Sequence, residues 1–489
     1  MEQFLEWLVG IVWSSPLVWL CAVIGLLLTG LTGFVQLRYL KDMIIQTFTG
    51  KSSKEGVSSF QAISIALSGR VGTGNIAGVA AAIYAGGPGA VFWMWFIGFV
   101  GAASSFAEST LGQIYKKQES GQYRGGPAYY IDKALGLRWY AVIFAIAAMI
   151  ATALFAPGIQ ANSISSGLKE AFGVPNVVSG IVMTAILALI IIGGVKSIAS
   201  VAQFVVPFMA VGYILVSLIV IGLNIEQVPA VLELIFSSAF GANAMFGGIV
   251  GTAISFGIQR GVYSNEAGQG TGPHAAAAAE VSHPVKQGLV QAFSIYIDTL
   301  FVCSATALMI LFTNSFNTVD AGGNPIASNV LGADGALIEG TAQYTQEAVE
   351  SVIPGFGSGF VAIALCFFAF TTIMAQYYIA ETNMVYILKG KFNKIFALIL
   401  KLALIATTLI GALWETGVTW LLADLGVGMM AWLNLIALLF LIKPVLRALK
   451  DYREQKLQGL DPIFTPSKLG IKNADYWEKE YVKKRKRIS

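Results

Sequence analysis

Three places in this chain put polar or flexible residues where an apolar helix would be expected. The first is Ser68-Gly69-Arg70-Val71-Gly72-Thr73-Gly74-Asn75, inside an apolar stretch at 60–84. Glycine costs about 1 kcal/mol relative to alanine in a helix, and an arginine at membrane depth costs several more. Gly74-x-x-x-Gly78 also fits the small-residue pattern of close helix packing, so packing is one reading. The other is an unwound segment whose freed N–H and C=O groups face a cavity or a ligand. The second place is Phe256-Gly257-Ile258-Gln259-Arg260-Gly261, followed by Ser264-Asn265-Glu266-Ala267-Gly268-Gln269-Gly270. The third is the adjacent pair Thr371 and Thr372.

The chemistry these residues suit is the capture of a zwitterion with a cation. A half-helix starting near Thr73 points its N-terminus and spare N–H groups at one spot, a setting for a carboxylate. The first half of the second broken stretch ends near Gly257, where free carbonyls suit an ammonium, and Phe256 is either an aromatic wall or core packing. The two threonine hydroxyls and the freed carbonyls are hard oxygen ligands of the kind sodium takes; the alternative is hydroxyl bonding to a carbonyl one turn back. Gln160 and Asn162 either reach the substrate or tie helices together. Neither break, read at Gly72–Gly74 and at Gly257–Gly261, holds Asp or Glu, so a neutral pocket and a net-neutral substrate are expected. Glu108, Arg260, Glu266 and Asp298 are costly charges within apolar stretches and are functional candidates by default. They are expected to form an inner gate of ion pairs, or static pairs that fix packing.

These residues need a membrane-embedded frame. Of 489 residues, 56% are hydrophobic and 12% charged, with mean hydropathy +0.70; soluble domains carry about 25% charge. Lipid must be part of the solvent, and a nucleic-acid-binding domain is excluded. Cys21, Cys303 and Cys366 lie in apolar runs without C-x-x-C spacing, and His274 and His283 are the two histidines, so neither a zinc or redox pair nor a histidine-based metal site is expected. Gly72-x-Gly74-x-x-x-Gly78 lacks the preceding strand and spacing of a dinucleotide site. No Walker loop occurs, so neither a nucleotide nor an organic cofactor is expected. The start MEQFLEW has no basic residue, so no secretory signal is expected.

A bilayer core needs about 20 apolar residues per helix. Eleven stretches qualify, near 16–38, 60–84, 89–115, 139–162, 176–194, 199–222, 242–273, 285–313, 357–384, 395–415 and 421–442. With the N-terminus outside and the C-terminus cytoplasmic, the inside connections hold 27 Lys and Arg and the outside ones hold Lys169 alone. That asymmetry supports both the count and the orientation. Stretches two to six (60–222) and seven to eleven (223–442) form five-helix repeats that start on opposite sides. A glycine-interrupted span leads each, the sequence pointer to a transport site at the midplane. Residues 1–59 add a helix and loop before the repeats. Segment 314–356 is read as an external lid, and 443–489, ending in the basic run 483–487, as a solvated cytoplasmic tail.

The runs Gly72-Thr-Gly-Asn-Ile-Ala-Gly-Val-Ala80, Gly86-Gly-Pro-Gly-Ala-Val-Phe-Trp-Met-Trp95 and Ser264-Asn-Glu-Ala-Gly268 resemble the alanine or glycine:cation symporter family, the sodium:alanine symporters. The resemblance implies the leucine-transporter fold with one extra N-terminal helix. It implies inward movement of small neutral amino acids with sodium, with stretches four and nine completing the pocket. The break pattern falls on Gly72, Gly74 and Asn75. The implied sodium ligands are carbonyls of Ser68, Val71 and Phe368 with Thr371 and Thr372. Where the family usually has tryptophan, this chain has Gln376, which opens the pocket to glutamine or serine beside alanine and glycine. A proton-coupled carrier of the same fold is the main alternative. An ion channel would show charged rings or filter loops, and an enzyme would show a nucleophile–histidine pair; neither is present.

Overall fold

The computed structural model describes residues 2–119, 121–332 and 334–486. Almost everything is helix, as expected where the bilayer leaves no partner for open backbone. Among the described residues, eight helices are long and apolar enough to cross a membrane. They are α1 (Glu2–Leu31), α5 (Gly89–Ile114), α6 (Arg138–Phe172), α8 (Gly194–Leu223), α12 (Pro284–Phe312), α14 (Gly357–Leu388), α15 (Lys394–Leu413) and α16 (Thr416–Phe440). The other three apolar stretches appear as the 17-residue α7 (Asn176–Ile192) and two interrupted helices. One interrupted helix is α3 (Ser59–Arg70) with α4 (Gly74–Gly86); the other is α10 (Val250–Asn265) with α11 (Gly272–Ala278).

The helix α5 is the post of the bundle. Its small residues, Gly98, Gly101, Ala102 and Ala103 among them, are buried, and it packs against α12, α10 and α1. By contrast, α7, α8 and α15 turn bulky apolar side chains outwards, such as Leu189, Phe204, Phe208 and Leu402, the surface that lipid covers.

The first interruption falls where the sequence puts it. A capping box of Ser58 and Gln61 starts α3. Arg70 is its last helical residue, Val71 is extended, and the chain re-enters helix at Gly74 through a wide π turn. Glycine is required at Gly72 because a Cβ there would run into Thr372 Oγ1 and lie 2.9 Å from Gln160 Oε1.

The second interruption is displaced from its expected place. Gly257 and Gly261 lie inside the continuous helix α10. A Cβ on Gly257 would meet the Ala90 carbonyl at 2.5 Å, and one on Gly261 would meet Ile97. These two glycines therefore let α10 press against α5, the small-xxx-small use of glycine. The break comes at 266–271, with Glu266, Gly268 and Gly270 all at positive φ. Helix-packing glycines and helix-ending glycines look alike in sequence; only the second kind needs left-handed backbone.

Three connections are more structured than expected. Residues before position 16 already form the start of α1, and α9 (Val228–Ala239) occupies the link before α10. Segment 314–356 folds as a hairpin, β1 (Asn317–Val319) with β2 (Pro325–Ser328), and α13 (Gln343–Val352). It lies over the end of α4, with Thr318 Oγ1 donating to the Ile83 carbonyl at 3.0 Å.

The C-terminal segment is not a solvated tail. After α17 (Ile442–Leu457) it packs Phe464, Tyr476 and Trp477 into the body, and Lys484 pairs with Glu280 at 2.5 Å. Its aromatic residues outweigh its charge. Arg487, the end of the basic run, lies outside the described residues.

Candidate functional site

The two interruptions face one another across a cavity of about 30 Å³. Its walls include Gly72, Gly74, Gln160, Tyr263, Glu266 and Thr372, with Gln376 and Arg70 also on the lining. That is room for a water or two. An amino acid needs the surrounding helices to part.

Of the residues expected to hold substrate, Gly72, Gly74, Gln160, Thr372 and Gln376 line the cavity. Gln160 Oε1 accepts the Thr73 N–H at 3.0 Å, joining α6 to the first break. Gln376 is buried and its Oε1 has no hydrogen-bond partner. Asn75 does not face the cavity. Its Oδ1 accepts the Gly72 N–H at 2.8 Å and its Nδ2 donates to Asp298 at 2.6 Å. It therefore closes the break internally, taking up a freed N–H that was expected to serve the substrate.

Phe256 and Gly257 also lie off the cavity lining. Gly257 is mid-helix, so its carbonyl is not at a helix end. Tyr263, two turns further along, provides the aromatic wall instead, with its ring 5.2 Å from that of Trp420. Asn162 donates to the Trp414 carbonyl at 2.7 Å and accepts from Thr416 Oγ1, the helix-tying alternative.

The residues implied as sodium ligands come together in part. Thr372 Oγ1 lies 3.0 Å from the Phe368 carbonyl and 3.5 Å from the Val71 carbonyl. Three hard oxygens from α14 and the first break thus converge beside the cavity. Thr371 and Thr372 both donate their hydroxyls to the Phe368 carbonyl at 3.0 Å, three and four residues back, so the one-turn-back alternative is the bond each makes here. The Ser68 carbonyl, also implied, is not among the oxygens that Thr372 Oγ1 contacts, and the Ser68 hydroxyl bonds the Ile65 carbonyl.

The charges divide into braces and pairs. Glu108 on α5 accepts from the Gly268 and Gly270 N–H groups and from Asn434 at 2.7 Å, so it braces the second break. Asp298 on α12 accepts from Asn75, Ser264 and Thr299 and braces the first. Arg260 pairs with Asp424 at 2.6 Å under the Trp420 ring, and not with Glu108, Glu266 or Asp298. That pair stands one turn before Tyr263, on the Val250 and Thr416 side of the cavity. This is the side the sequence places outside, so the expected inner gate is not where the pair lies. Asp424 was legible as the one acid within 421–442 but was not singled out. Glu266, at the second break, lines the cavity and accepts from Thr271 Oγ1 at 2.8 Å. The pocket is therefore not free of carboxylates. That expectation failed because the break was placed nine residues too early.

Two broken helices meeting at a midplane cavity, held by a helical frame, define a secondary transporter of the leucine-transporter type. A solved manganese transporter of Eremococcus coleocola has this fold, with a TM-score of 0.55 at 13% identity over 81% of this chain and 82% of that one. The sequence matches the sodium:alanine symporter family over residues 1–466, and the chain belongs to that family. It is 60% identical to YrbD of Bacillus subtilis (strain 168) over the full length of both chains. It is 52% identical to the sodium/proton-dependent alanine carrier protein of Bacillus sp. (strain PS3), over 90% of this chain and 98% of the relative. The chain is thus a multi-pass membrane transporter, of a family of amino-acid symporters.

Proposed function

We propose that this chain carries a small neutral amino acid, alanine or glycine foremost, into the cell together with sodium by alternating access. The observation that carries the reading is the convergence of the Val71 and Phe368 carbonyls with the Thr372 hydroxyl beside the cavity. A cation there is held by the first break and by α14 at once, so sodium and substrate favour the same closed arrangement. Differential binding of this kind is what lets one gradient drive another flux.

In this reading the substrate carboxylate sits against the backbone of Gly72–Gly74, and Gln160 and Gln376 offer polar contacts. The eleven stretches all cross, with the N-terminus outside and the C-terminus in the cytoplasm. Arg260–Asp424 with Tyr263 and Trp420 then forms the outer closure. The contacts of 57–59 with 278–280, where Val57 N–H donates to the Ala278 carbonyl at 3.0 Å, form the inner one. The polar lining at Gln376 extends the expected range to serine and glutamine. A second reading, the proton as a coupling ion, is favoured by Glu266 on the cavity wall and by the name of the strain PS3 relative.

The test is uptake of labelled alanine into proteoliposomes with a sodium, lithium or proton gradient imposed in turn. Sodium-stimulated accumulation is expected. Full uptake in sodium-free buffer under a proton gradient alone would remove sodium from the mechanism.

A further inference from the structure

We propose that Glu266 is the proton-binding site of the transport cycle, so that one proton travels with sodium and substrate. The inference rests on the symport reading above and adds a second coupling ion to it.

Glu266 is placed differently from every other acid in the bundle core. It lines the central cavity and also a smaller one bounded by Ala66, Gly272, Ala375 and Tyr378. It stands between the two, beside Gly69, where a Cβ would lie 3.4 Å from its carboxylate. It keeps part of its surface accessible, whereas Glu108 and Asp298 are fully buried.

Hydrogen bonding points the same way. Glu108 and Asp298 each receive three donors, which favour the ionised form. Glu266 has one, the Thr271 hydroxyl. The Arg70 guanidinium is directed to Ser294, Gln291 and Ser105. Other groups facing Glu266 are Tyr263 on its own helix and Tyr378 on α14; His274 on α11 is turned to the Thr271 carbonyl, 3.0 Å from its Nδ1.

Charge balance fits one proton in each cycle. Arg260–Asp424 and Arg124–Glu381 neutralise each other. Around the cavity, Arg70 then faces Glu108, Glu266 and Asp298. One positive charge against three negative ones leaves two to be met, and unmet charge at low dielectric is expensive. Sodium at Val71, Phe368 and Thr372 meets one. A proton on Glu266 meets the other. The partnerless Gln376 Oε1 on the same wall independently marks the cavity as built for a guest that brings hydrogen-bond donors. In each turnover an O–H bond forms on a Glu266 oxygen from water on the loading side. It breaks to water on the release side, with no redox change.

The test uses the purified full chain, with labelled-alanine binding at saturating sodium and a pH-sensitive dye in proteoliposomes. Wild type should bind alanine about fivefold or more tightly at pH 5.5 than at pH 8.5, the low end of a site-to-site coupling, and should move protons with alanine. Glu266→Gln should give an affinity that is flat over that range and no alanine-dependent proton movement. Glu266→Asp should keep both responses. Thr271→Val, which removes the donor to the charged form, should move the midpoint of the binding profile to higher pH; this variant carries the test if Glu266→Gln does not fold. Proton movement persisting in Glu266→Gln, or an unmoved midpoint in Thr271→Val, overturns the proposal. So does a wild type that takes up alanine with sodium and moves no protons, an outcome that leaves sodium symport standing. Absence of sodium-stimulated uptake in wild type would instead sink the symport reading itself.

Discussion

Thr372 is where a single atom has most to say. Its hydroxyl already points at two carbonyls from different helices, 3.0 and 3.5 Å away. Valine there keeps the volume and removes one oxygen. A lost bond to a charged partner is worth about 1.5–3 kcal/mol, so the apparent sodium constant should rise about tenfold or more. A titration of uptake against sodium checks this, and an unchanged constant places the ion elsewhere. Gly72 makes the companion case. Any side chain at Gly72 displaces Thr372 Oγ1 and Gln160 Oε1 together, so Gly72→Val should abolish alanine binding while the purified protein keeps its helical content. Gln376 decides selectivity. Tryptophan there fills the wall where an unpartnered amide oxygen now stands, so Gln376→Trp should move competition of labelled-alanine uptake towards glycine and away from serine and glutamine. An identical inhibition profile across the twenty amino acids would make Gln376 structural.

Elements explain what the residues cannot do alone, and also why the site was only partly legible. The first break could be read from sequence because Gly72 falls at the break itself, while Gly74 beside it also lets the re-entering helix approach Tyr263 and Ser264. The second could not be placed, because Gly257 and Gly261 pack α10 on α5 while Gly268 and Gly270 turn the chain. Asn75 was misassigned for a similar reason. A polar side chain beside freed N–H groups can bind a ligand or cap the backbone, and only its distance to Gly72 and Asp298 tells which. The Arg260–Asp424 pair needed α16 to be docked before its second member had a role. Breaking such a buried pair on one side leaves a bare charge and costs about 3–5 kcal/mol, whereas replacing both partners is often neutral. Asp424→Leu alone should therefore lower thermal stability, and Arg260→Met with Asp424→Leu should recover most of it. If the pair is the outer closure, the double variant should still spend more time open, read as faster labelling of a cysteine introduced beside Tyr263. Equal labelling of wild type and double variant would leave the pair with a purely structural role.

At the scale of the whole molecule, the C-terminal segment ties together the ends of several helices on the side that the proposed orientation makes cytoplasmic. The family match ends at residue 466, yet residues 467–486 pack against the body. Trp477 Nε1 donates to the Gln113 carbonyl at the end of α5, and Lys484 pairs with Glu280 just past α11. Glu280 in turn donates its N–H to the Val57 carbonyl ahead of α3. The Val57 end of the first broken helix and the Ala278 end of the second are thus held by one strap, which in the proposed orientation loosens when the cavity opens inwards. Lys116 lies under the strap, with Tyr123 and Tyr476 within 4.3 and 4.6 Å of its ammonium. Burial pulls its pKa from 10.5 down to about 7. A strap that lifts returns Lys116 to water and to its ordinary value, so the lifted state binds more protons between pH 7 and 10.5. Docking therefore strengthens as pH rises through that window and is weakest below about pH 7, where Lys116 carries its proton in both states. Hydrogen exchange of 467–486 should accordingly be faster at pH 6 than at pH 8 after correction for intrinsic rates. Lys116→Met removes the proton and fills the same space, and it should abolish the difference. Deleting residues 467–489 should raise the rate of inward opening at both pH values, seen as faster alanine exchange across the membrane at equal sodium. Exchange that is unchanged on deletion would show that the strap rides on the inner gate without holding it.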